Sequence, residues 1–186
     1  DMLQTALNGM GLIHVSGITL AILDPAARQR LFSVLSKARD AGTVVSFDPN
    51  IRPKLWSSMD EVRLVIPAML ALTDIALPSF DDEAMVWGDA SPAATLARLR
   101  AAGVAEVVVK NGAGAVTFGD SAGDQVLTTP PVDEVLDTTG AGDGFNAGYL
   151  AARLVGKTPA DAVPAAQRLS AEVIRHYGAR ITRDIA

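Results

Sequence analysis

The sequence predicts an α/β fold in which a parallel sheet is covered by helices on both faces. Short apolar runs of strand length alternate with longer segments whose apolar residues recur at helical spacing. Parallel strands need a long crossover to return to the same edge, and a helix is the usual crossover. Strands that are buried on both faces read as continuous apolar runs, as these do.

The predicted helices begin and end at residues that suit a helix terminus. Asp24 and Ser91 each precede a proline, which is the arrangement of an N-cap followed by proline at the first helical position. Gly42, Gly88 and Gly103 follow the helical segments as C-terminal stops. The predicted elements in chain order are strand 12–17, helix 24–42, strand 43–48, loop 49–57, helix 58–72 interrupted or kinked at Pro67, strand 74–77, helix 79–87, helix 91–103 and strand 106–110.

The pattern changes after the last of these strands. Residues 111–114 read as a tight glycine turn between strand 106–110 and two short strand candidates, 115–118 and 125–127. Two helices, at about 142–155 and 159–177, then end the chain. We interpret residues 1–186 as a single domain, because the length suits one core and is short for two.

Composition excludes several classes of function. The net charge of −5 argues against a nucleic-acid binder, which needs a basic surface. The chain lacks cysteine and has two histidines, so a disulfide framework or a zinc site is not expected. It shows neither an apolar run long enough to span a membrane nor a signal peptide. These features favour the cytoplasm, and the start at Asp1 suggests a piece cut from a longer protein.

The strongest chemical signal is the run of residues 137–143, Asp-Thr-Thr-Gly-Ala-Gly-Asp, at the start of a predicted helix. The first N–H groups of a helix lack internal partners and attract anions, and small residues let a ligand come close. Asp143 beside such a site could act as a general base, with the N–H groups of Gly140, Ala141 and Gly142 holding a transferred phosphoryl group. Alternatively, Asp143 is a favourable first-turn acid and the glycines serve packing.

This run resembles the C-terminal signature of the ribokinase (PfkB) family of carbohydrate kinases. The resemblance implies a three-layer α/β/α fold with a mostly parallel sheet, and phosphoryl transfer from ATP, with Mg²⁺, to a sugar hydroxyl. It makes Asp143 the catalytic base and Gly140 to Gly142 the anion hole. Potassium is a further expected ion, since Asp137 and Thr139 lie where many members bind a monovalent cation.

Other segments agree with this family in order and spacing. Residues 108–114 resemble the strand and glycine turn beside the nucleotide, which places Lys110, Gly112, Ala113 and Gly114 near ATP; an ordinary hairpin is the alternative. Asn146 would flank the adenine.

Residues 78–82 fall where the family has an Asn-x-x-Glu motif that organises magnesium and phosphate. This chain departs from the motif at both positions. Ser79 takes the Asn place, near the nucleotide. Asp82 takes the Glu place, where it could act on magnesium through water; Glu83 is next door, and a solvated acidic helix start is the alternative.

Residues 47–56, Phe-Asp-Pro-Asn-Ile-Arg-Pro-Lys-Leu-Trp, carry the information on substrate. Arg52 follows a parallel strand at the edge where α/β sheets bind ligands, and a guanidinium can grip a carboxylate with two hydrogen bonds. The stretch is similar to 2-keto-3-deoxygluconate kinases, in which this arginine contacts the sugar acid. Alternatively, Arg52 is structural, capping carbonyls or pairing with Asp48.

The resemblance covers about the C-terminal three-fifths of a family member, so the N-terminal strands and the β lid are absent from this chain. We expect an ATP-dependent kinase for 2-keto-3-deoxygluconate. A fructokinase or another hexose kinase is the second hypothesis, and a catalytically incomplete nucleotide-binding fragment is the third. The expected partner is a small sugar or sugar acid, with a homo-oligomer or a missing N-terminal segment completing the protein.

Overall fold

The computed structural model describes residues 2–181 as a six-stranded sheet with helices. The strands are β1 (Leu12–Ser16), β2 (Val44–Asp48), β3 (Ile75–Ala76), β4 (Glu106–Val109), β5 (Val116–Asp120) and β6 (Gly123–Leu127). The helices are α1 (Met2–Leu7), α2 (Gly17–Ile22), α3 (Pro25–Asp40), α4 (Met59–Leu70), α5 (Phe80–Trp87), α6 (Pro92–Ala101), α7 (Ala141–Leu154) and α8 (Pro159–Val173), with a 3-10 turn at Pro53–Leu55.

The sheet has the strand order β1-β2-β3-β4-β5-β6. Strands β1 to β4 are parallel, and β5 runs antiparallel to β4, with Val107 opposite Gly119. Every position of β4, and all but the first of β2, is buried. The predicted α/β class with a mostly parallel sheet is therefore confirmed. The antiparallel strand enters where the glycine turn at residues 111–114 replaces a crossover helix.

The described chain divides into two compact units, residues 2–111 with 117–124, and residues 112–116 with 125–181. In the first unit, one face of the sheet packs against α3, α4 and α6 because alternate residues of each strand point to the same face. This core contains Ile13, Val15, Val45, Phe47, Ala76, Val107 and Val109 from the strands, and Leu31, Leu35, Val62, Ile66, Met69, Leu96 and Leu99 from the helices. That residues 1–186 form one domain stays a prediction.

In the second unit, α7 and α8 pack closely because α7 presents glycines to α8. A Cβ on Gly144 would lie 2.9 Å from Val173 Cγ2, and one on Gly148 would lie 2.9 Å from Ala166 Cα. Gln167 of α8 donates to Thr128 O at 3.1 Å, which ties the segment after β6 to this helix. None of the helices within residues 2–181 is long and apolar enough to span a membrane.

The predicted helix starts are confirmed by cap hydrogen bonds. Asp24 accepts from Ala27 N–H, and Ser91 accepts from Ala94 N–H. Of the interruption or kink predicted at Pro67, the interruption is wrong, since α4 continues through this residue, and the kink stays a prediction.

Helix α8 ends at Val173 and not at residue 177 as predicted, because the next carbonyl, Ile174 O, accepts the N–H groups of Leu136 and Asp137. Helices α1 and α2 were not predicted; each has six residues, too short for a periodic pattern to develop.

Candidate functional site

The carboxyl ends of β2 and β4 carry a buried ion pair. Asp48 is the last residue of β2 and Lys110 follows β4, and Lys110 Nζ lies 2.6 Å from Asp48 Oδ2. Both side chains are buried, so each charge depends on the other to offset its lost hydration. The ammonium of Lys110, predicted to lie near ATP, is thus engaged inside the first unit. Its backbone carbonyl holds the start of α5, by accepting Phe80 N–H at 2.8 Å.

The loop after β2 is held in a defined shape by its own sequence. Asp48 Oδ1 accepts Asn50 N–H at 3.0 Å, and Asn50 has a φ of 36°, in the left-handed region that asparagine tolerates better than most residues. Gly17 approaches this loop so closely that a Cβ there would lie 1.8 Å from Pro49 O. The Asp-Pro-Asn run therefore builds a turn that brings Arg52 to the sheet edge. The roles of Gly17 and Asn50 in this turn were not predicted from the sequence.

Arg52 extends from this loop into solvent. Its side chain is 55% exposed, and its Nη1 donates to Ile51 O at 3.1 Å and lies 4.0 Å from Asp82 Oδ2. Of the two structural roles predicted as alternatives, capping a carbonyl is observed at Ile51 O, whereas the ion pair described for Arg52 is with Asp82 and that of Asp48 is with Lys110. The guanidinium is therefore held on one side and open on the other.

Asp82 and Glu83, two acidic residues in the first turn of α5, have different partners. Asp82 Oδ2 accepts Ile51 N–H at 2.9 Å, whereas Glu83 is paired with Arg98 at 2.5 Å. Burial raises the pKa of Asp82 although the Ile51 N–H and Arg52 act to lower it. The predicted alternative of a solvated acidic start is wrong for Asp82 and Glu83, which are largely buried.

Two predicted ligand contacts lie at the start of α5: Asp82 for magnesium and Ser79 for the nucleotide. No group of three or more His, Asp or Glu side chains within residues 2–181 could hold a metal ion. Magnesium binding by Asp82 stays a prediction, and it would compete with the Ile51 N–H for the carboxylate. Ser79 is the N-cap of α5 without a side-chain cap bond, and its predicted place near the nucleotide stays a prediction.

In the second unit, the N-terminus of α7 offers open N–H groups. Gly140 is the N-cap with a φ of 81°, and it has no side-chain cap hydrogen bond. Ala141 N–H is already engaged, because it donates to Thr138 O at 3.1 Å. Within the described chain, the N–H groups of Gly140, Gly142 and Asp143 make no hydrogen bond. Of the three N–H groups predicted to form the anion hole, those of Gly140 and Gly142 are open and that of Ala141 is engaged, and the anion hole itself stays a prediction.

The side chain of Asp143 is exposed in the first turn of α7. No hydrogen bond or ion pair in the part of the chain that the structure describes engages its carboxylate. An acid next to open, positively polarised N–H groups can accept a proton from a ligand that those groups hold. The alternative that the glycines serve packing applies to Gly144 and Gly148, which face α8, and also to Gly140, where a Cβ would lie 3.0 Å from Ala179 Cα.

The segment before α7 is fixed by Asp137. Its Oδ1 accepts Thr139 N–H at 2.8 Å and its Oδ2 accepts Gly178 N–H at 2.9 Å. The hydroxyl and N–H of Thr139, together with the Gly178 N–H, hold the pKa of Asp137 below its usual range. Both carboxylate oxygens thus stabilise the turn that presents Gly140, and the cation role of Asp137 and Thr139 stays a prediction.

The other residues predicted to contact the nucleotide lie in the turn at residues 111–114 and in α7. Gly112, with a φ of 53°, and Ala113 are exposed, and no atom lies within 4 Å of a Cβ built on Gly112. Gly114 O accepts the Thr129 hydroxyl at 2.6 Å, which fixes the end of this turn. Asn146 is buried, so only a small part of its side chain could meet a ligand.

These features agree with a family comparison. Residues 3–186 match the model of the pfkB family carbohydrate kinases. The chain belongs to this family. Two relatives described as 2-dehydro-3-deoxygluconokinase are 43% identical to it, one from Escherichia coli strain K12 over 92% of the chain and one from Dickeya dadantii strain 3937 over 97%. The chain spans 57% and 59% of the length of these relatives.

Solved structures of pfkB proteins share the fold. A PfkB protein from Polaromonas sp. JS666 has a TM-score of 0.81 at 29% identity, over 92% of this chain and 56% of that one. A putative ribokinase II from E. coli in complex with ATP and Mg²⁺ also has a TM-score of 0.81, at 27% identity, over 95% of this chain and 56% of that one. The predicted resemblance to the ribokinase-like family is confirmed.

Proposed function

We propose that this chain supplies the phosphoryl-transfer residues of an ATP-dependent kinase for 2-keto-3-deoxygluconate, also named 2-dehydro-3-deoxygluconate. One observation carries the proposal: the carboxylate of Asp143 is exposed, has no hydrogen-bond or ion-pair partner among residues 2–181, and lies beside open N–H groups at the start of α7. Helix N-termini stabilise phosphate oxygens, and a neighbouring carboxylate can take the proton of an alcohol. Family membership supports the same chemistry.

In the proposed mechanism, Asp143 takes the proton from the primary hydroxyl of the sugar. The hydroxyl oxygen forms a bond to the γ-phosphorus of ATP as the bond from that phosphorus to the β–γ bridging oxygen breaks, and ADP leaves. The N–H groups of Gly140, Gly142 and Asp143 hold the charge on the phosphoryl oxygens. Magnesium accompanying the nucleotide would neutralise phosphate charge. Asp82 already accepts the Ile51 N–H, so the proposed transfer depends on Asp143 and the α7 N–H groups.

Arg52 supports an acid sugar as the substrate. Its guanidinium is more than half exposed, and its charge is only weakly balanced by Asp82 at 4.0 Å. An open guanidinium forms two parallel hydrogen bonds with a carboxylate, which a neutral sugar cannot match. Relatives described as 2-dehydro-3-deoxygluconokinase agree with this choice. The cytoplasmic location, the homo-oligomer and the use of potassium stay predictions.

Steady-state kinetics of an Arg52→Ala variant on two sugars test the substrate assignment in the full protein. We expect the loss of kcat/KM for 2-keto-3-deoxygluconate to correspond to about 1.5–3 kcal/mol, because a charged hydrogen bond is lost. The loss for fructose should be small. Lys54→Ala is the matched control, since Lys54 is an exposed cation in the same loop. Equal losses of kcat/KM on both sugars would refute carboxylate recognition and favour a hexose kinase.

A further inference from the structure

Asp82 occupies a position from which it contacts both the backbone and the side chain of the Arg52 loop. It lies in the first turn of α5, and its side chain is 17% exposed. The same oxygen, Oδ2, accepts the N–H of Ile51 at 2.9 Å and lies 4.0 Å from Nη1 of Arg52. A single carboxylate thus touches the residue before the arginine and the arginine itself.

The rest of the loop is held on its other side. Asp48 fixes Asn50 through a hydrogen bond of 3.0 Å to its N–H, and Gly17 packs against Pro49. None of these contacts reaches the guanidinium of Arg52. Within residues 2–181, its contacts are Ile51 O and Asp82, so Asp82 is the group outside the loop that restrains the direction of this side chain.

The ion pair has a geometry suited to orientation. At 4.0 Å the two charges attract without a close hydrogen bond, which leaves the N–H groups of Arg52 available to a ligand. In a close bidentate ion pair, the N–H groups of Arg52 would donate to Asp82 and would not be available to a ligand. The second oxygen of Asp82 makes no hydrogen bond in the described part of the chain.

We propose that Asp82 is a positioning residue for acid-sugar recognition: it fixes the Ile51 backbone and aims the guanidinium of Arg52 at the sugar carboxylate. The inference rests on the proposed function, in which Arg52 binds that carboxylate. In this proposal, Asp82 orients Arg52, whereas the resemblance to the family implies a role with magnesium at this position. It also accounts for an aspartate here, since the carboxylate must reach the loop N–H at 2.9 Å.

The test compares Asp82 variants of the full protein on 2-keto-3-deoxygluconate and on fructose. Asp82→Ala removes both the acceptor for Ile51 N–H and the charge near Arg52, whereas Asp82→Asn keeps an acceptor oxygen. We expect Asp82→Ala to raise KM for the acid about tenfold, and Asp82→Asn to raise it less, with kcat within about twofold. The KM for fructose, or its inhibition constant where turnover is slow, should stay within about twofold. Asp82→Glu should restore part of the lost affinity.

The matched control is Asp81→Asn, because Asp81 is exposed in the same turn of α5 and, among residues 2–181, makes no hydrogen bond or ion pair. It should leave both KM values unchanged. Urea unfolding of each variant separates a folding defect from a binding defect. If Asp82→Ala does not fold, the KM values of Asp82→Asn still test the inference.

Each of the following results would overturn the inference. Equal changes for both sugars would mean a general structural role. A fall in kcat with a higher magnesium requirement would mean a metal role. A lower KM for the acid in Asp82→Asn would mean that Asp82 merely offsets the charge of Arg52. If Arg52→Ala leaves the KM for the acid unchanged, the proposed substrate is wrong as well. If Arg52→Ala raises this KM and the Asp82 variants leave it unchanged, only the positioning role is wrong.

Discussion

At the scale of single residues, Glu83 makes stability depend on pH. It is buried and paired with Arg98, its Oε1 accepts no hydrogen bond from the residues that the structure describes, and burial raises its pKa from 4.5 to about 7. The folded state therefore binds a proton more tightly than the unfolded state does. The stabilisation is complete below about pH 4.5 and is lost as pH rises through about 7.

We expect the unfolding free energy of the natural protein, relative to Glu83→Gln, to fall by about 2–3 kcal/mol between pH 5 and pH 8. The amide of glutamine does not titrate, so the variant removes this contribution. Urea unfolding at several pH values measures it, with the exposed Glu134→Gln as control. A difference that does not change with pH would contradict the assignment.

The residues of the site differ in how far their roles could be predicted. Asp143 and Arg52 carry charge at positions where a helix starts or a parallel strand ends, and such positions can be recognised by residue type and order. The partners of Asp82 could not be predicted, because Ile51 is 31 positions away and the contact depends on the packing of α5. The left-handed Asn50 and the close approach of Gly17 likewise exist only in the folded loop.

At the scale of elements, the contact of α7 with α8 depends on glycine. Gly148→Ala would gain about 1 kcal/mol of helix propensity but would place a Cβ 2.9 Å from Ala166 Cα and 3.0 Å from Ala165 O. Because these are mostly backbone atoms, the helices must separate. We expect a net destabilisation of about 1–3 kcal/mol, measured by chemical unfolding.

The control for this variant is Ala147→Gly on the exposed side of α7, which measures helix propensity without packing. Its cost of about 1 kcal/mol corrects the Gly148→Ala value for propensity. A Gly148→Ala protein more stable than the natural one would show that α7 and α8 tolerate the added carbon, and that this glycine has no packing role.

Helix ends that are marked by nearby residues in the sequence could be predicted. Helix ends that depend on contacts with distant residues, and very short helices, could not. Asp24 and Ser91 cap the helices that they were expected to begin. The end of α8 was placed too late because it depends on Ile174 O, which binds N–H groups of residues 136 and 137 far along the chain. The short α2 begins at Ser16, whose hydroxyl accepts Ile18 N–H, but it has too few residues for an apolar periodicity.

At the scale of the whole molecule, the order of strands and helices identified the fold class before any side-chain contact was known. The switch from parallel to antiparallel pairing after β4 follows from the short turn at residues 111–114, which leaves no room for a crossover helix. The preference for an acid sugar depends on a smaller feature, the guanidinium of Arg52 and its orientation.

The central claim is that Asp143 is the base that acts beside the N–H groups of α7. The most direct measurement is the turnover of an Asp143→Asn variant of the full protein, together with its affinity for ATP by calorimetry. We expect kcat to fall about 100-fold or more while ATP affinity is kept, because asparagine cannot accept the proton. Turnover close to that of the natural protein, with the same ATP affinity, would contradict the account.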